Sequence, residues 1–191
     1  MTRKHFTVLN PELSTLHPEA LRLYAAIVKH GASQLAAVIA YGFELPQDPT
    51  PEQKAAWVHF VVAELERLFD EAAIKAIRMD CRCDHGMAER KAWLSRLYQE
   101  LGSVEAMAAD TEACAVGLYF ENGELYLKFP FCPCPMLEGV KRLETQTWCE
   151  CTCGYSRDLF EHVLGCEVAV KLLKSVKMGD DICLMKITPQ A

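Results

Sequence analysis

Apolar residues recur three and four apart through the first half of this chain and alternate through much of the second. Leu21, Tyr24, Ala25, Val28, Leu35, Val38 and Ile39 follow the helical period behind His17-Pro18-Glu19. A proline suits the first turn of a helix, because its missing N–H would be unpaired there anyway. Gly31 falls inside the pattern and predicts a dent or break, and Gly42 a stop. Residues 1–10 read as an extended arm. Three prolines in L-P-Q-D-P-T-P cannot continue a helix, so that stretch is a loop.

Thr50-Pro51-Glu52-Gln53 predicts a helix start, with Thr50 as N-cap, proline at the first position and Gln53 placed to close a capping box. Trp57, Phe60, Val61, Leu65, Leu68 and Phe69 then carry the period to about Arg78 or Met79, and the acidic run Glu64, Glu66, Asp70, Glu71 reads as its solvated face. Cys81 to Gly86 is a turn, a helix covers about Met87 to Leu101 with Gly102 as its stop, and a short one covers Val104 to Ala109.

From Cys114 the period drops to two. C-A-V-G-L-Y-F-E, Asn122-Gly123 and E-L-Y-L-K-F-P-F predict a β-hairpin, since Asn-Gly accepts the left-handed backbone of a tight type I′ turn. Met136 to Thr147 reads as a loop with a short strand. Tyr155 to Leu164 is a helix with Leu159, Phe160 and Val163 on one face, and Cys166–Val176 with Ile182–Thr188 form a second hairpin around M-G-D-D. The fold class is therefore α+β: N-terminal helices packed on an antiparallel sheet of about four strands, two hairpins with an intervening helix. The chain reads as a single domain, 1–191, with a helical part at about 11–110 and a cysteine-rich α+β part at about 111–191.

Composition narrows the function. A net charge of −6 with no basic run excludes nucleic acid and anionic membranes as partners. The longest apolar stretch, Leu35 to Gly42, is far short of the ~20 residues that span a bilayer. The first residues carry charges with no apolar segment behind them, unlike a secretory leader, so a cytoplasmic protein is expected. The ten cysteines then lie in a reducing compartment, where clustered thiols serve metals or catalysis rather than disulfides.

Seven of the ten fall in tight groups: Cys81 and Cys83; Cys132 and Cys134; Cys149, Cys151 and Cys153. In an extended backbone residues i and i+2 face the same side, so each group would present its sulfurs together. Zinc takes four soft ligands in a tetrahedron, and an iron–sulfur cluster takes four thiolates. The seven thiols are accordingly the candidate ligands for zinc or an iron–sulfur cluster, with His85 as a further donor. Cys114, Cys166 and Cys183 sit singly in predicted strands and read as core thiols, and His59 and His162 as structural or surface residues. The alternative is a thiol-dependent enzyme, hydrolytic or redox, with one cysteine as nucleophile; Cys151 and Cys153 stand just ahead of a helix N-terminus, which favours a thiolate. No phosphate-binding loop, nucleophile elbow, H-E-x-x-H or dinucleotide fingerprint is present.

The helix Y-S-R-D-L-F-E-H-V-L-G, the strand C-E-V-A-V-K-L-L-K-S and the ending M-G-D-D-I-C-L-M-K-I give Gly154–Ile187 a resemblance to the C-terminal half of 4-vinyl reductase-type domains. These are α+β ligand-sensing modules, so the resemblance implies a small-molecule ligand in a pocket between sheet and helices. It also implies a structural zinc on an acid and a cysteine of the penultimate strand and a final cysteine. Leu172 and Ser175 stand at the two strand positions, and only Cys183 matches. Cys81 to Ile187 as a whole resembles uncharacterised cysteine-rich bacterial and archaeal proteins, with an upstream cysteine pair and C-x-C groups before a G-Y…F-E…L-G helix. A distant similarity to aminothiazoline-carboxylate hydrolase-like proteins lies in helices followed by a cysteine-bearing α+β unit.

Overall fold

The computed structural model describes residues 16–190, so the predicted N-terminal arm lies outside the described residues. Helix α1 (Pro18–Lys29) starts where proline predicted, with the His17 ring accepting from the Glu19 N–H at 3.1 Å. Gly31, at φ +81°, breaks the pattern outright, and α2 (Ser33–Tyr41) follows as a separate helix. Helix α3 (Pro51–Leu68) opens on the expected capping box: Thr50 accepts from the Gln53 N–H and Gln53 accepts from the Thr50 N–H.

The expected single helix to Met79 is two helices. Phe69 turns extended, and the Asp70 carboxylate caps α4 (Glu71–Asp80) by accepting from the Ala73 N–H at 2.8 Å. Asp70 is thus a solvent-exposed cap between two helices and not a position within one helix. Helices α5 (Met87–Leu101) and α6 (Val104–Ala109) match expectation, with Gly102 in the left-handed C-cap position. The stretch from Cys114 departs from it. Asp110 caps α7 (Thr111–Ala115), so Cys114 lies in a helix, exposed, and is not a core thiol of a strand.

Strands β1 (Leu118–Glu121) and β2 (Glu124–Phe129) form the first hairpin around Asn122-Gly123, and β3 (Val168–Lys174) and β4 (Cys183–Pro189) the second. The four strands form one antiparallel sheet in the order β1-β2-β4-β3. The loop between the hairpins has no strand; 3₁₀ turns occupy Pro135–Leu137 and Thr147–Cys149. The second turn runs straight into α8 (Glu150–Leu164), which begins five residues before the predicted Tyr155.

Alternation places Leu118, Leu125, Leu127, Val168, Val170, Met185 and Ile187 on the buried face of the sheet. Helix α8 covers that face with Leu159, Phe160 and Val163, as predicted, while α6 and α7 pack on β1. On its far side α8 meets α4 and α5. A second cluster fills the space among α1 to α4 and the long loop, built on Trp57 and Trp148, whose rings meet edge to face at 5.6 Å. Gly154 sets the α4–α8 spacing: a Cβ there would sit 1.9 Å from the Met79 carbonyl oxygen, so only glycine permits the crossing. This approach carries the end of α4 against the start of α8, where the thiols gather.

Candidate functional site

Helix α4 and its C-cap bury Ile74, Ile77 and Cys81, spaced three and four apart, and beside that stripe stands Arg78, which is wholly buried. Its guanidinium lies 4.0 Å from the Trp148 ring centroid and donates to the Trp148 carbonyl and to the Cys81 sulfur, each at 3.2 Å. The nearest carboxylate, Glu19 of α1, is 3.9 Å away and is already paired with Arg22 at 2.6 Å. Two guanidiniums therefore share one buried carboxylate, and the Arg78 Nε has no partner. A buried charge without full compensation is costly, so the surroundings must supply negative charge.

They supply thiols. The loop after β2 brings Cys132 and Cys134, the 3₁₀ turn brings Cys149, the first turn of α8 brings Cys151, and the start of β4 brings Cys183. With Cys81 they form one string. Cys81 neighbours Cys151, Cys151 pairs with Cys134, Cys149 is close to both Cys151 and Cys183, and Cys132 pairs with Cys183. Ser175 stands 3.5 Å from the Cys149 sulfur, and the Val176 N–H donates to Cys183 at 3.5 Å. Cys132, Cys134, Cys149 and Cys183, with Trp148 and Ser175, line a cavity of about 20 Å³. That is room for one small guest.

The two contacting pairs divide the charge unequally. Donation from Cys132, aided by the Val176 N–H and Ser175, pulls the Cys183 thiol down to about 6 against the effect of burial. Cys132, donating and half-buried, is pushed up. Donation from Cys151 likewise lowers Cys134, assisted by the Met136 N–H, and raises Cys151. Burial pushes Cys149 to about 11 and Cys81 to about 12, the latter opposed by Arg78. Each pair can therefore carry one thiolate held by its neighbour's S–H.

Of the seven sequence-predicted thiols, five join this cluster and two do not. Cys83 stays in the turn after α4, beside Tyr155. Cys153 points into the sheet-side core. The extended backbone expected for Cys149–Cys153 is a helix, where successive alternate residues lie about 200° apart. Cys151 and Cys153 therefore face opposite sides. His85, His59 and His162 are exposed and lie outside the cluster. Among the described residues no group of three or more His, Cys, Asp and Glu side chains is arranged to hold a metal ion.

Sequence reasoning passed over Arg78, Glu19 and Trp148, and it singled out Cys183 only through the resemblance, as the one matching zinc-ligand position. Arg78 had a signal, since an arginine beside the apolar stripe Ile74, Ile77, Cys81 has to be buried with partners. The residue pattern alone gave no signal for Cys183, because strand alternation reads a core thiol and a cluster thiol alike.

The fold and the site together define an α+β protein with a buried thiol cluster set around a guanidinium. A family model described as a family of unknown function (DUF6144) matches residues 18–191, and the chain belongs to that family. No curated protein and no solved structure matches it, and no link to 4-vinyl reductase domains is shown.

Proposed function

We propose that the thiol cluster is a metal-binding centre with Cys132, Cys134, Cys149 and Cys183 as ligands and Cys151, Cys81 and Arg78 beside it. The observation that carries this reading is that four thiols from three separated segments line one small enclosed cavity. Four sulfurs match the ligand number of zinc, and because they are not already arranged around one point, the loop after β2 would have to shift to close them on the ion. A guest space of about 20 Å³ favours a single ion over an iron–sulfur cluster, which would need the loop after β2 to open.

Charge supports the same reading. Four thiolates around a divalent ion leave two negative charges, and Arg78 lacks a full counter-ion. Binding would replace the thiol–thiol hydrogen bonds with metal–sulfur bonds and release protons, chiefly from the high-pKa Cys132 and Cys149. The centre then staples the loop after β2, the start of α8 and the start of β4. In that role it would hold together a cytoplasmic ligand-binding module of the kind the resemblance to 4-vinyl reductase-type sensors implies.

The contacting pairs Cys132–Cys183 and Cys134–Cys151 favour a second reading, dithiol–disulfide chemistry. Zinc titration against a chromophoric chelator separates the two. The metal reading expects tight binding of one zinc per chain, lost in Cys183→Ser and kept in Cys83→Ser. Absence of zinc binding, with two disulfides formed under a glutathione redox buffer, would move the assignment to the second.

A further inference from the structure

A cleft of about 810 Å³ opens on the other side of Glu150, between the α3–α4 junction, the loop at Thr145–Thr147 and the free edge of β3. Glu150 is only 4% exposed. Cys153 lies beside its carboxyl group, yet its Oε2 is buried and has no hydrogen-bond partner. An acceptor left in that state is costly, more so when charged, and asks for a partner: an ordered water, an ion or a bound molecule.

The surroundings restrict what that is. Glu66 at the cleft wall is occupied, accepting from the Thr145 and Thr147 hydroxyls. Lys75 of α4 and Lys171 of β3 line the same cleft and have no ion-pair partner among the described residues. Phe69, Ile74 and Leu172 supply apolar surface. Glu71 at the rim is the remaining acid. A free amine would satisfy Glu150 but meet the lysines unfavourably, and a free acid would do the reverse. A molecule carrying both groups satisfies both.

We propose that this cleft binds a small zwitterion of the amino-acid class, its ammonium on Glu150, its carboxylate toward Lys75 and Lys171, and its side chain on Phe69, Ile74 and Leu172. The open volume exceeds one amino acid, so short peptides carrying a free terminus belong to the same class. The site is independent of the thiol centre, and failure of either leaves the other standing.

The test is isothermal titration calorimetry with the proteinogenic L-amino acids on the full chain, then with the deaminated and decarboxylated analogues of the tightest binder. At least one amino acid is expected to bind below about 1 mM, with each analogue weaker by at least about tenfold, as loss of one charged hydrogen-bonded contact implies. Lys171→Ala, an exposed strand position, should weaken binding while leaving the melting temperature and metal content unchanged; Glu150→Gln should remove the preference for the amine. Equal binding of the deaminated acid would overturn the role of Glu150. Binding unaffected by Lys171→Ala, or no binding by any amino acid, would overturn the proposal.

Discussion

Replacing Arg78 with methionine isolates the electrostatic core of the cluster, because methionine keeps most of the apolar stem and removes the charge. The wild-type guanidinium makes two hydrogen bonds at 3.2 Å, lies 4.0 Å from the Trp148 ring and faces Glu19 at 3.9 Å, all with no exposure to solvent. Removing one partner of a buried charged group typically costs about 3–5 kcal/mol. Part is returned here, since Glu19 keeps Arg22 at 2.6 Å. The Trp148 carbonyl loses its guanidinium donor. A loss of about 3 kcal/mol is expected, which for a chain of this size lowers the melting temperature by roughly 6–12 °C. Urea unfolding of the metal-free protein, followed by tryptophan fluorescence, measures it. Zinc affinity should fall as well, because the anionic centre loses its neighbouring cation. A loss below about 1 kcal/mol, with unchanged zinc affinity, would refute the reasoning that the thiols and the guanidinium compensate one another.

Gly154→Ala puts a methyl 1.9 Å from the Met79 carbonyl oxygen, so α8 must move by more than about 1 Å from α4, at a cost of about 2–3 kcal/mol. Thermal melting should show it clearly larger than Gly102→Ala, where only the left-handed backbone at φ +75° opposes the side chain; equal losses would contradict the close crossing. Burial pushes the Asp158 carboxyl up, but Lys91 at 3.0 Å and Arg82 at 3.4 Å outweigh it and hold it below the usual range. A depressed carboxylate contributes stability above its unfolded pKa of about 3.9 and loses it as pH falls through the lower folded value. Asp158→Asn should therefore cost no more than about 0.5 kcal/mol at neutral pH, given solvent screening of a partly exposed group, and the difference from wild type should shrink as pH falls through the lowered folded pKa in acid titrations of stability.

Local chemistry made most of the fold legible. The Thr50–Gln53 box, Asn122-Gly123, Gly102 and the Leu159–Phe160–Val163 face are each decided within a few residues, and each stands where the sequence placed it. The departures come where a cap competes with a period. Asp70 ends one apolar repeat and starts another helix, and Asp110 turns a strand-like run at Cys114 into α7. The thiol cluster was legible as a density of cysteines and not as a geometry. Adjacency in sequence placed Cys83 and Cys153 with the others, whereas the turn after α4 and the helical phase of α8 take them away. Tertiary approach brought in Cys183, Arg78 and Glu19 from three distant segments. Spacing reports which thiols share a stretch of backbone; only packing decides which share a cavity.

Metal content of the full chain, purified without chelator under exclusion of oxygen and measured beside its visible spectrum, bears most directly on the proposed centre. The account predicts one zinc-like ion per chain, a colourless solution, and loss of the ion in a Cys132→Ser, Cys183→Ser double variant but not in Cys83→Ser or Cys153→Ser. Protein free of metal with its thiols unliganded and freely alkylated, or a metal retained in the double variant, would contradict it.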